Sequence, residues 1–128
     1  MKFLVDTHIL LWHLEDSPKQ SETVKKELQD SSNQIFISQA SIWEMSIKIS
    51  LGKLKIPVPF EDLLFHLERS AWAILPIQNK DILRLLDLPY HHSDPFDRII
   101  AAQCLNQDLT LITKDSIFEH YGVAMLKS

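Results

Sequence analysis

Five acidic residues stand out: Asp6 in FLVDTH and Asp115 in LTLITKDS directly after apolar runs, Asp94 and Asp97 in HHSDPFDRIIAAQ at the opening of a helical pattern, and Glu44 in SIWEMS about one turn into another. Most of the remaining acids lie in polar stretches and read as solvated. Asp6 directly follows Phe3, Leu4 and Val5, so its charge should be poorly hydrated and expensive unless a cation or a donor meets it. Glu44 has Trp43 and Met45 as neighbours. Carboxylates gathered in one place repel each other, and at neutral pH a divalent cation is their natural complement. Oxygen-only ligands suit Mg²⁺ or Mn²⁺, whereas Zn²⁺ prefers His and Cys. A hard cation on clustered acids positions a phosphate, activates a water and stabilises the leaving oxygen of a phosphodiester. That chemistry points to a nuclease, without choosing RNA over DNA or a nuclease over a phosphatase.

Each acid also has a structural reading. Asp94 suits an N-cap, Pro95 the first helical position and Asp97 the third, which together make an acidic version of the capping box. Asp6 could cap a helix beginning at Thr7, Glu44 could close a capping box from Ser41, and Asp115 could cap a short helix at SIFEH. Taken singly, capping is the simpler account. Taken together, the poor solvation of Asp6 and the apolar setting of Glu44 favour a common site.

The elements that must position these acids follow from hydrophobic patterning. KFLVD reads as a buried strand, and THILLWHLE as a helix with Ile9, Leu10, Trp12 and Leu14 at helical spacing. A polar helix is expected over about residues 18–31, opening at Pro18 and carrying Val24 and Leu28. QIFIS reads as a strand, and ASIWEMSIKISLGK as a helix ending near Gly52. EDLLFHLERS and NKDILRLLDL are expected helices with the strand-like AWAILPI between them. LTLIT and VAML read as further strands, on either side of SIFEH. Apolar strands alternating with helices imply an α/β fold, a three-layer α/β/α sandwich around a small, mostly parallel sheet. Ligands of such sheets bind beyond the carboxyl ends of the strands where strand order reverses, and all the acids above fall on that edge.

Composition sets the frame. The 128 residues suit one domain over 1–128, and 45% hydrophobic with 23% charged residues excludes a disordered or low-complexity chain. Two Gly imply short loops. The only cysteine, Cys104, lies in the apolar helix pattern IIAAQCL and reads as a small core hydrophobe, so a reducing, cytoplasmic setting is expected. The apolar run at the start is broken by Asp6 after three residues, which fits neither a signal peptide nor a membrane span. A formal net charge of -4 argues against broad electrostatic binding to nucleic acid, unless bound cations offset part of it.

LVDTHILLW, ISQASIWEMSIKISLGKL, HHSDPFDRIIAAQ and LTLITKDSIF, in that order over nearly the whole chain, resemble the PIN-domain ribonucleases, and among them the VapC-type toxins of toxin–antitoxin systems. The resemblance implies a PIN-like sandwich with Asp6, Glu44, Asp97 and Asp115 as catalytic, metal-binding acids. Asp97 matches the family's third acid better than Asp94, because the small-residue helix DRIIAA follows it; Asp94 is a further candidate ligand or a cap. Also implied are Mg²⁺- or Mn²⁺-dependent cleavage of RNA by an activated water, a cognate antitoxin that blocks the site, and a homodimer. No membrane association is implied.

Arg98 and Lys114 adjoin two of the acids and are candidates to contact substrate phosphate, each with a surface ion-pair role as the alternative. Thr113, at a strand end, is a candidate to orient a water at the metal. His91 and His92 read as a polar loop, since adjacent side chains diverge and no cysteine supports them. Trp12, Trp43 and Trp72 read as core. Two other functions compete: a catalytically inactive PIN-fold module that binds a protein partner, and a phosphoryl-transfer enzyme with Asp6 as acceptor. The second lacks a companion Asp two residues after Asp6.

Overall fold

The structure is a computed structural model that describes residues 1–128. Its elements, in order, are β1 (Lys2–Val5), α1 (Thr7–Glu15), α2 (Glu22–Gln29), β2 (Gln34–Ser38), α3 (Gln39–Ser50), α4 (Phe60–Arg69), β3 (Ala73–Leu75), α5 (Asn79–Arg84), α6 (Pro95–Gln107), β4 (Thr110–Thr113), a 3₁₀ segment (Ser116–Tyr121) and β5 (Met125–Lys127). The sheet has five strands in the order β3-β2-β1-β4-β5, and every pairing is parallel. β1 is central, with Val5 beside Ile37 of β2 on one side and Ile112 of β4 on the other. Strand order reverses there, between β1 and β4.

The apolar runs form strands because both faces of this sheet are covered. Alternation sends Leu4 and Leu111 into one layer with Ile99, Ile100, Ala102 and Phe118 of α6 and the 3₁₀ segment. Phe3, Val5, Ile35, Ile37 and Ile112 face the other layer, against Ile9 and Leu10 of α1, Val24 of α2 and Leu63 of α4. Cys104 is buried in the first layer, where burial pushes its thiol well above the usual range.

Local chemistry sets the boundaries. α2 is shorter than the pattern predicts: Ser21 caps it by accepting the Val24 N–H at 3.2 Å, so Pro18 lies in the preceding turn. α5 also ends early, at Arg84, and residues 85–87 continue as turns. The carbonyls of Leu85 and Leu88 accept from the Arg98 guanidinium instead of closing further helical turns. Gly122 ends the 3₁₀ segment at φ 75°, a left-handed conformation that a side chain would strain. No helix is long and apolar enough to cross a membrane.

One buried polar bridge ties the carboxyl edge together. Ser38 Oγ donates to Gln103 Oε1 at 2.6 Å, and Gln103 Nε2 donates to the Pro76 carbonyl at 3.2 Å, linking the ends of β2 and β3 to α6. Gln103→Leu leaves a buried hydroxyl and a carbonyl without these partners, and is expected to destabilise the fold by about 1–3 kcal/mol. Urea unfolding should show a lower midpoint at unchanged slope.

Candidate active site

At the reversal of strand order the carboxyl ends of β1 and β4 open into a polar cavity of about 490 Å³. It is lined by Asp6, His8, Glu44, Lys48, Asp94, Asp97, Lys114, Asp115 and Ser116, with no hydrophobic residue among them. All five acids singled out in the sequence therefore line one pocket, brought there by β1, α3, α6 and the turn after β4.

Asp6 is the most buried of the five, at 6% exposure. It N-caps α1, accepting the Thr7 N–H on Oδ1 at 2.7 Å, and accepts the buried Thr113 hydroxyl on Oδ2 at 2.8 Å. Burial raises its pKa above the ordinary value, against the lowering pull of those two hydrogen bonds. Glu44, on α3, accepts the Thr7 hydroxyl at 3.1 Å and pairs with Lys48, one turn on, at 3.3 Å. The N-cap of α3 is Ser38, so Glu44 closes no capping box and Ser41 is interior.

Asp94 is the N-cap of α6, with Oδ1 accepting the N–H groups of Phe96 and Asp97 at 2.9 and 3.1 Å. Asp97 does not complete the capping box: its Oδ2 lies 3.1 Å from His92 Nε2. Burial, followed by repulsion from Asp94 and Asp6, raises the Asp97 pKa from 3.8 to about 6, while the His92 contact opposes the shift. Asp115 caps the 3₁₀ segment through the Ile117 N–H at 3.0 Å. Asp6, Asp94 and Asp115 thus have the capping roles that were the simpler reading, and also face the pocket.

The donor set fits a hard divalent cation: oxygen donors on several elements, a carboxylate kept poorly solvated, and no thiolate. No three of the His, Cys, Asp and Glu side chains converge into a ready-made cage. An open arrangement of this kind suits an ion that retains water and takes up phosphate oxygens.

Three further positions depart from expectation. Arg98 does not line the pocket. It is 4% exposed, and its guanidinium donates to the carbonyls of Leu85, Leu88 and Pro89 and to the Tyr121 hydroxyl, so it is a structural cation and has no free face for phosphate. Trp43 is 59% exposed, packed edge-on against Phe96, because the buried face of α3 runs through Ser41, Ile42 and Met45 and position 43 falls on the opposite side of the helix. His92 lies in the loop before α6, as expected, but both its ring nitrogens are engaged, one by Tyr121 and one by Asp97. Lys114 lines the pocket, 5.6 Å from the Trp12 ring, and Thr113 is fully buried against Asp6. Sequence reasoning missed Lys48, although its position one turn after Glu44 signalled the pair. It also missed His8 at the pocket wall, and Tyr121, for which no local signal exists.

A parallel α/β sheet bearing an acidic, apolar-free pocket at its switch point defines a class of folds that handle ligands at that edge. The family model of the PIN domain matches residues 3–124, and the chain belongs to that family. PIN domains are generally nucleases. Among solved structures, the chain is similar to one from VapBC2 of Rickettsia felis bound to a promoter DNA fragment, at 20% identity and a TM-score of 0.74, covering 99% of this chain and 98% of that one. A DNA-bound VapBC from Salmonella typhimurium gives 18% identity and a TM-score of 0.71, covering 99% and 98%. A toxin–antitoxin complex from Klebsiella pneumoniae gives 21%, a TM-score of 0.60, and coverage of 88% and 86%. No curated protein matches.

The raised Asp97 pKa has a definite sign in stability. The folded state holds this proton more tightly than the unfolded chain does, so ionisation destabilises the fold as pH rises from about 4 through about 6. In chelator, Asp97→Asn is therefore expected to be more stable than wild type at neutral pH. The difference should grow by about 1–3 kcal/mol between acid and neutral pH, in the range of one to two pKa units. Thermal melts across that range check it.

Proposed function

We propose that this chain is a VapC-type toxin, a Mg²⁺- or Mn²⁺-dependent endoribonuclease controlled by a cognate antitoxin. The observation that carries this reading is the gathering of Asp6, Glu44, Asp94, Asp97 and Asp115 around one cavity without an apolar residue. In this reading Asp6, Glu44, Asp97 and Asp115 hold the metal, and Asp94 acts chiefly as the cap of α6. When bound, the cation supplies charge neutralisation for the phosphate and an acidified water.

The chain's own residues orient that chemistry. Thr7 bridges two ligands, its N–H on Asp6 and its hydroxyl on Glu44, while Thr113 holds the other Asp6 oxygen. Lys114 and Lys48 place positive charge at the pocket wall, where they meet the phosphates of a polyanion that a net charge of -4 would otherwise repel. Hydrolysis then forms a bond from water oxygen to phosphorus and releases one ester oxygen as a hydroxyl.

A protein partner and a homodimer have apolar surface available to them. Ile82, Leu83, Leu86 and Tyr90 are each more than half exposed, and Leu11, Leu14, Ile56, Val58 and Leu63 line an apolar cleft of about 260 Å³. Whole-chain similarity to members of toxin–antitoxin complexes supports the antitoxin.

The test is cleavage of a panel of structured RNAs by antitoxin-free protein with Mg²⁺ or Mn²⁺. Wild type should cut, and Asp97→Asn should lose at least about 100-fold while remaining folded. Asp94→Asn preserves a good cap, so it should keep its stability and lose no more than about tenfold in activity. A folded wild type that neither cuts RNA nor binds either ion overturns the nuclease reading and leaves a binding module on the same fold.

A further inference from the structure

Asp97 is the one pocket acid fixed by a side chain from a loop, and that side chain is itself fixed. His92 Nε2 lies 3.1 Å from Asp97 Oδ2, and His92 Nδ1 lies 2.7 Å from the hydroxyl of Tyr121. Tyr121 is 7% exposed, at the end of the 3₁₀ segment that Asp115 caps. Its oxygen also accepts from Arg98 Nη1 at 3.3 Å and from the His92 backbone N–H at 3.4 Å. Arg98 is anchored in turn on three backbone carbonyls and stacks over Tyr90 at 3.8 Å.

Proton bookkeeping gives this chain of contacts a direction. Arginine is always a donor, so the Arg98 and backbone N–H groups occupy the acceptor sites of the phenol oxygen. The single phenol proton then goes to His92 Nδ1 at 2.7 Å rather than to the His92 carbonyl at 3.4 Å. Nδ1 is consequently an acceptor, and neutral His92 carries its proton on Nε2, facing Asp97. The opposite tautomer would place a third donor on the phenol oxygen and set an imidazole lone pair against a carboxylate. Asp97 Oδ2 is thereby engaged, while Oδ1 takes no hydrogen bond within the chain.

We propose that His92 is a positioning residue for Asp97: the chain Arg98–Tyr121–His92 fixes one imidazole tautomer, which orients the Asp97 carboxylate and leaves Oδ1 for a divalent cation. This rests on the nuclease reading, in which Asp97 is a metal ligand. Carboxylate ligands held by such outer partners lose about 10–100-fold in metal affinity when the partner is removed.

The experiment measures Mn²⁺ affinity of the intact chain by electron paramagnetic resonance, without RNA, together with thermal melts and long-range ¹H–¹⁵N spectra of the histidines. In wild type the His92 spectrum should show the Nε2–H tautomer, and the Nδ1–H form would overturn the proposal without any variant. His92→Leu should weaken Mn²⁺ binding about 10–100-fold, and His92→Gln, which can still donate to Asp97, should recover part of the loss. Tyr121→Phe should weaken binding and release the tautomer preference. Folded His92→Leu and Tyr121→Phe proteins with wild-type affinity, alongside an Asp97→Asn that has lost it, would overturn the positioning role alone. An Asp97→Asn that keeps full Mn²⁺ affinity would overturn the nuclease reading and this proposal with it.

Discussion

A carboxylate buried at the end of the central strand is the constraint on which the rest of the molecule turns. Asp6 continues the apolar run of β1 to the point where the sheet changes direction, so its charge is hidden from water. Its three hydrogen bonds tie it to two elements: its N–H donates to the Ile112 carbonyl of β4, Thr113 of the same strand donates to one carboxylate oxygen, and the first N–H of α1 to the other. A buried charge of this kind must be met by donors or a cation. Meeting it sets the register of β1 against β4 and the entry of α1 at once, and leaves the remaining acids to assemble around it.

The repulsion among those acids is moderated by secondary structure. Asp6, Asp94 and Asp115 each accept N–H groups at the start of a helical segment, where the backbone dipoles favour negative charge. Glu44 has the Thr7 hydroxyl and Lys48 instead. Asp97 has neither a cap nor a lysine, only an imidazole, and it is the acid held near pKa 6. Capping and lining of the pocket are therefore two uses of the same groups: the interactions that start the helices also make a dense cluster of carboxylates tolerable without a cation.

α6 carries this division in adjacent residues. Asp97 faces the cavity, while Arg98 turns inward to carbonyls left open where α5 stops and to Tyr121. Successive helix positions point about 100° apart, and here that offset sends Asp97 and Arg98 into different surroundings. An arginine beside an acid of the pocket looks like a phosphate ligand in the sequence. In the fold it stiffens the loop that supplies His92.

The alternating apolar runs, their flanking polar residues and the acids near strand ends and helix starts determined, from the sequence alone, the parallel α/β architecture, the common edge and the acids that line it, because periodicity and element ends are local properties. Helix lengths were less legible: α5 stops at Arg84, and Arg98, well separated along the chain, takes the carbonyls of Leu85 and Leu88 just beyond it. The same holds for the burial of Arg98, the outward turn of Trp43, and the links from Thr113 to Asp6 and from Tyr121 to His92. These were decided only in the tertiary structure. Thr113 and Asp6 stand 107 residues apart, and Tyr121 and His92 stand 29 apart, so no window of sequence contains both members of either pair. A hydrogen bond across that separation exists only because packing of the two layers brings its partners to one edge, and residue type alone cannot say which donor a carboxylate will meet.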